Sequence, residues 1–277
     1  MPSNNARFIF KNLARLTGVA ASTVAAGYPA ANLLNSDKAL TFRAPGKTVM
    51  LSGSSPQPLV ASGLGMGPCN LSSGATGRLL LYSDAAATDV VLDTDAQYIC
   101  PAPPVDLEGW NLAQASSAYA HGGGTTAALW FQETTFRAWR LYLDDVNNMQ
   151  GYIEACHLIL GKYFSPARDV DAGVGIKLRD TDVQKRSAAG SLRARAGVKW
   201  RELALDLSDM PIADLRVMLR ALRSLGRGRP LFAAIYPEDD DTLLDGETRM
   251  IGMLSEESEF TLGGPDDFAT KITVTQL

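Results

Sequence analysis

The feature that most restricts the fold of this chain is how often its apolar runs are interrupted. Through residue 165 those runs are short, and each is cut by Gly, Ser, Pro or Asn, with no sustained repeat at helical spacing. A helix needs an apolar stripe at a period of about 3.6, whereas a half-buried strand needs alternation over about four to eight residues. The first part of the chain therefore reads as β-rich. Candidate strands are KTVMLSG (47–53), RLLLYSD (78–84), DVVLDT (89–94), AALWFQE (127–133), RAWRLYLDD (137–145) and GYIEACHLILG (151–161). In 137–145, Trp139, Leu141 and Leu143 alternate with Arg140 and Tyr142, one face dry and one wet. The stretch DDVNNMQG (144–151) reads as a turn between neighbouring antiparallel partners. Many strands at short spacing make a sandwich or barrel.

After KYFSPARD (162–169) the composition shifts. The segment 185–209 is basic and feeds an extended run in which Leu203, Leu205 and Leu207 alternate with Ala204 and Asp206. Val198 and Trp200 fall on the opposite parity, which predicts a bulge near Arg201. A helix is expected over 209–225: Ser208 can cap it, Pro211 is tolerable in its first turn, and Gly226 ends it. Its apolar stripe is Leu215, Met218, Leu219, Leu222 and Leu225. PLFAAIYP (230–237) reads as a buried strand and EDDDTLLDGE (238–247) as an acidic loop. TRMIGMLSE (248–256), EFTL (259–262) and an alternation around Ile272 and Val274 follow. With 277 residues, two ordinary domains fit. The division expected is a β-sandwich over 1–165 and an α+β unit over 166–277.

With 46% hydrophobic and 20% charged residues, the chain has the composition of a globular protein that buries a real core. Arg7, Lys11 and Arg15 interrupt the N-terminal apolar residues, a pattern that fits neither a secretory signal nor a spanning helix. Cys69, Cys100 and Cys156 are odd in number and lack metal-ligand spacing, so they read as reduced, buried thiols. The net charge of −4 gives no global attraction to nucleic acid or anionic lipid.

Four strings imitate reactive motifs, and each lacks a necessary part. PGKTV (45–49) resembles the end of a phosphate loop, but Thr41 stands where that loop needs glycine. GLGMGP (63–68) falls one residue short of a dinucleotide fingerprint and reads as a loop. HGGG (121–124) has the look of an oxyanion-hole segment without any G-x-S-x-G elbow, and only His121 and His157 are available as bases. The acidic run 238–247 lacks calcium-loop spacing. No catalytic, cofactor-binding or metal-ligating set emerges, and the chain is expected not to be an enzyme.

Charge, by contrast, is segregated. Residues 185–229 hold eleven basic and four acidic residues, and 238–267 hold eleven acidic residues and one basic. Arg216, Arg220, Arg223 and Arg227 stand opposite the helix stripe, either as a solvated face or as half of a subunit interface with Asp239, Asp240 and Asp241. A basic block of one copy meeting an acidic block of the next is a heterologous contact, which closes into a ring when the rotation permits.

Residues 21–44 (ASTVAAGYPAANLLNSDKALTFRA), followed by an all-β run, resemble the first strand of discoidin-type jelly rolls, with Phe42 where those domains usually have tryptophan. Together, 136–169 and 185–207 resemble minor tail or tail-tip proteins of long-tailed bacteriophages. This resemblance implies a virion component made in the bacterial cytoplasm, with Leu33, Leu34 and Phe42 in the core. It also implies a ring of identical copies contacting tail tube, hub or fibre proteins, without specific nucleic acid or membrane insertion. The alternative it carries is a carbohydrate-binding adhesin module touching a host-surface glycan through Tyr28, Trp110 and Tyr119, since a sugar face stacks on an aromatic ring.

Overall fold

A computed structural model describes residues 5–101, 125–168, 174–188, 190–195, 197–237, 242–255, 260–262 and 267–277. The chain opens with β1 (Arg7–Ile9), α1 (Ala14–Thr17) and β2 (Ala20–Ala21). Then follow β3 (Phe42–Pro45), β4 (Thr48–Cys69), β5 (Thr76–Tyr82), β6 (Val90–Asp93), β7 (Gln97–Tyr98), β8 (Thr125–Asp144) and β9 (Tyr152–Gly161). All but β1 belong to one antiparallel sheet of order β3-β9-β4-β8-β5-β6, with β2 added to β4 and β7 to β5.

That sheet curls over itself because its two longest strands bend. The register of β4 on β8 shifts between Ser54 and Leu59, where Pro56 and Pro58 lack the N–H that a ladder requires. Further shifts lie at Ala61/Gly63 and Met66/Cys69. The near half of β4 brings Leu51 towards Trp139 and Leu141, and the far half brings Leu64 and Met66 towards Leu129 and Leu158, in a single core. Trp139 is fully buried and its indole Nε1 donates to Thr17 Oγ1 at 2.9 Å. The mainly β, sandwich-like character read from the sequence is what β2 to β9 adopt.

Details differ from expectation. The runs at 127–133 and 137–145 are one strand, β8. GLGMGP is not a loop but the end of β4, paired on both sides by β8 and β9. The segment 144–151 does not join neighbours, since β4 lies between β8 and β9. It crosses between the two halves instead, held by buried polar groups. Asp145 accepts from the Ser72 amide at 2.7 Å, and Asn70 Nδ2 donates to Tyr152 O and Gln150 Oε1, both at 2.8 Å. The opening stretch is not a first strand. Ala30–Leu34 is a 3₁₀ turn and Phe42 begins β3, with Leu33 and Phe42 buried and Leu34 half-buried against the core.

The second sheet uses β10 (Gly175–Asp180), β13 (Lys199–Pro211), β14 (Leu231–Ala234), β15 (Met250–Leu254), β16 (Phe260–Leu262) and β17 (Asp267–Gln276). Between β10 and β13 lies a separate hairpin, β11 (Val183–Arg186) with β12 (Leu192–Arg195). Helices α2 (Ile212–Leu225) and α3 (Thr242–Thr248) flank β14. The order is β1-β14-β15-β17-β13-β10, so residues 7–9 complete the second sheet, although they precede the sandwich in sequence. Leu215, Met218, Leu222 and Leu225 of α2 pack on Leu205 and Ile272 of this sheet.

Here too the local signals were overruled. Strand β13 runs on to Pro211, so the helix starts at Ile212 with Pro211 as its cap, and Ser208 lies within the strand. The bulge falls between Leu207 and Met210, not near Arg201; Val198 and Trp200 simply occupy the outer face. Leu219 is on the exposed side of α2. Residues 242–247 of the expected acidic loop belong to the helix α3, which ends at Thr248.

The two sheets meet at a dry seam of Ile9, Phe232, Ala234 and Ile251 against Ala128 and Ile159. Trp130 stacks on Phe232 with ring centroids 5.5 Å apart, and the Arg7 guanidinium lies 5.0 Å from the rings of both Trp130 and Tyr163. Glycines of β4 make this approach feasible. A Cβ at Gly65 would lie 2.6 Å from the Phe232 ring, and one at Gly63 2.7 Å from Trp130. Beside the seam, Arg249 and Asp245 form a buried ion pair, and Arg249 Nη1 also donates to Ile99 O at 3.3 Å.

Candidate assembly surface

A two-stranded arm leaves the second sheet at β10 and β13. At its base Ile176 faces Leu203 and Lys177 faces Glu202, and Arg179 reaches Glu202 at 2.8 Å. At the joint, Thr181 N donates to Val198 O at 3.1 Å, and Gly197 N to Asp182 Oδ1 at 2.7 Å. Gly197 is needed there, because a Cβ would fall 2.2 Å from Thr181 Oγ1. The tip closes at Gly190, whose φ of 79° suits glycine, with its N–H on Ser187 O at 2.9 Å. From Arg179 to Ser187 the ribbon extends about 25 Å at about 3.3 Å per residue.

No residue of β11 or β12 is buried. Leu178 is 81% exposed and Val198 68%, and Ile176, Val183 and Leu192 also face solvent. The pairing sets Lys185 opposite Arg193, with Arg195 two residues on along the same face. Like charges directly opposite destabilise a strand pair, and an isolated two-stranded ribbon is at best marginal in water. Residues 175–199 carry seven basic side chains against two acidic ones. An arm of this composition gains stability by lying against an anionic and partly apolar surface.

The structure places the sequence-derived site residues unevenly. Arg216, Arg220, Arg223 and Arg227 are all exposed, and Arg227 donates to Ser255 O at 2.8 Å. Beside the first three, Ile212, Val217 and Leu219 are also exposed, so this face of α2 is not purely polar. Asp239, Asp240 and Asp241 lie outside the described residues, as do Trp110, Tyr119 and His121. Tyr28 is half-buried, and the Arg43 guanidinium lies 4.4 Å from its ring centroid and 4.3 Å from that of Tyr152. Glu154 accepts from Arg43 at 3.1 Å and from Thr41 Oγ1 at 2.7 Å. The arm is the feature sequence reasoning missed: its basic residues were counted together with those of α2, though they form a separate surface. The alternation of Ile176 and Leu178 with Lys177 and Arg179 was the signal available.

His157 lies in β9, buried, with neither ring nitrogen in a hydrogen bond. Burial pushes its pKa below the ordinary histidine value. Cys69, Cys100 and Cys156 are free and buried, and burial raises the Cys156 thiol to about 11. Among the described residues, no group of three or more His, Cys, Asp or Glu side chains is placed to hold a metal, and no helix is long and apolar enough to cross a membrane.

No protein-family model matches the chain. No curated protein matches it either. Solved structures do. A fucosidase from Ruminococcus gnavus, in complex with fucose, is 11% identical with a TM-score of 0.37; the match covers 56% of this chain and only 27% of the fucosidase. Chitosan-binding module 1 of a chitosanase/glucanase from Paenibacillus sp. IK-5 is 12% identical with a TM-score of 0.36, over 54% of this chain and 98% of the module. A module from Clostridium perfringens, in complex with GalNAc-β-1,3-galactose, is 10% identical with a TM-score of 0.35, over 53% of this chain and 96% of the module. None of these three is described as a tail protein.

Proposed function

We propose that this protein is a structural subunit that joins copies of itself, and that its task is architectural. In the setting implied by its sequence resemblance, the assembly is a ring at the tail tip of a long-tailed bacteriophage, linking tail tube to hub or fibres. The observation that carries this reading is the arm from Gly175 to Lys199, whose apolar side chains stand in solvent and whose like charges face each other. Such a segment is costly for a solitary molecule and useful to an assembling one. Light scattering of the purified chain at low and high salt tests the reading. A species several times the monomer mass, shrinking as salt rises, is expected; a monomer at every concentration and salt overturns it.

A second reading, contact with a host-surface glycan, is favoured by one group on the sandwich. Tyr28, Arg43, Tyr152 and Glu154 bring aromatic rings, a guanidinium and a carboxylate to one place on β3 and β9, groups suited to stacking on and hydrogen-bonding a sugar. Two of the solved modules above are described as binding chitosan or holding a disaccharide. A glycan array probed with the wild type and with Tyr28→Ala tests it. Glycan binding lost in the variant supports this reading, and a blank array removes it.

A further inference from the structure

The arm's counterpart on a neighbouring copy can be named, on the reading that the chain self-assembles. At the far end of the sandwich sheet, β6 and β7 form an edge beyond which no strand pairs among the described residues. Val90 and Val91 are exposed there, and Tyr98 is 74% exposed. Residues 83–98 hold four carboxylates, Asp84, Asp89, Asp93 and Asp95, and no basic residue. The edge is thus apolar and acidic, the complement of an arm that is apolar and basic.

Two of these carboxylates are held by local bonding. Asp84 accepts from the Asp89 amide, the Thr88 amide and the Thr88 hydroxyl, each at 2.9 Å. Those bonds, the Asp89 amide foremost, hold its pKa down to about 2, so it remains an anion through mild acid. Asp93 is likewise lowered, chiefly by its bond from Arg78. Arg78 offsets one charge, leaving the edge acidic. An exposed sheet edge with unpaired backbone groups is itself a template for a further strand.

We infer that the arm of one copy lies along the β6–β7 edge of the next copy, the basic residues Lys185, Arg193 and Arg195 facing Asp84, Asp89 and Asp95, and Leu178 and Val183 covering Val90, Val91 and Tyr98. The contact is heterologous, since arm and edge belong to different sheets of one chain, and its repetition generates a ring or an open filament. The basic residues take an anionic neighbour, and the Lys185–Arg193 repulsion inside the arm is relieved by it. The acidic stretch around Asp239–Asp241 is not needed for this pairing.

Charge reversal on the full chain tests it, read by sedimentation velocity at low salt. One variant carries Arg193→Glu and Arg195→Glu in the arm. A second carries Asp89→Lys and Asp95→Lys on the edge, leaving the three bonds to Asp84 and the Arg78–Asp93 pair in place. A third carries all four changes. Thermal unfolding of each monomer confirms that the variants fold. Self-association about 100-fold weaker in each of the first two, and recovered in the third, is the expected result. If the arm variant dissociates while the edge variant assembles like wild type, the arm binds elsewhere: the inference falls, and the self-assembly reading stands. If wild type itself never associates, both fall. Recovery absent in the third variant, with both pairs of changes disruptive, also overturns the direct pairing.

Discussion

The seam around Phe232 and the arm around Leu178 are both apolar side chains on strands, and their surroundings are opposite. At the seam every large group has a recess made for it: Gly65 yields space to Phe232, Gly63 to Trp130, and Arg7 lies beside two rings. On the arm, Leu178 and Val198 meet water. Burying a side chain of this size stabilises by about 1.5–3 kcal/mol, so the arm forgoes a gain the seam collects. Apolar character alone therefore does not place a residue in the core. A matching surface must exist in the same chain, and where it does not, a second molecule is the natural source.

This contrast can be broken by substitution. The largest effect is expected from Phe232→Ala, which removes a fully buried ring and its stack on Trp130. It should cost about 4 kcal/mol in urea unfolding. Gly65→Ala attacks the same contact from the other side. With a new Cβ 2.6 Å from the ring, either Phe232 or β4 must move, at about 2 kcal/mol. A wild-type-like Gly65→Ala protein would mean that the two sheets do not sit as closely as described, and the contrast with the arm would lose its footing.

How legible these features were depended on how local their causes are. The alternation of Trp139, Leu141 and Leu143 was readable because a strand's two faces are set by adjacent residues. The partners of that strand were not, since nothing in residues 144–151 indicates that β4 will come between β8 and β9. Glycine is depleted in strands, so GLGMGP read as a loop; its purpose lies in Phe232, far along the chain. Ser208 offered a good cap, but the ladder of β13 on β17 continues to Pro211 and outweighs it. Of the candidate site, the basic block was visible as a count, while its division into an arm and a helix face needed the fold. The acidic edge went unnoticed because its four carboxylates are spread among valines and alanines and never dominate a short window.

A moderate effect is expected from pH, and it belongs to the buried side of the comparison. His157 is neutral in the folded chain: burial lowers its pKa, Lys38 and Arg15 oppose its charging, and Asn35 and Asp37 only partly favour it. Its folded pKa lies below the unfolded value of about 6.5, so as pH falls under 6.5 the unfolded chain takes up a proton that the folded chain refuses. Stability should be level above pH 7 and fall below about 6.5, with a slope approaching about 1.4 kcal/mol per pH unit until the folded pKa is reached. Urea midpoints measured from pH 7.5 to 5 check this, with His157→Leu as the variant that should flatten the slope. An unchanged slope in that variant would assign the acid sensitivity to other groups.

The smallest effect on stability is the most informative for the arm. Leu178→Ser replaces a side chain that is 81% exposed, so the monomer has almost nothing to lose, and its urea midpoint should stay within about 0.5 kcal/mol of wild type. If the arm lies against another copy, the same change removes apolar contact there, and sedimentation should show weaker association with an unchanged monomer. The substitution thus separates the two regions in one experiment, since a comparable loss at Phe232 acts on folding before it can act on assembly. A Leu178→Ser monomer destabilised by about 2 kcal/mol would instead mean that the arm folds back on its own sheets in solution, and that its exposed residues already have their partner within the chain.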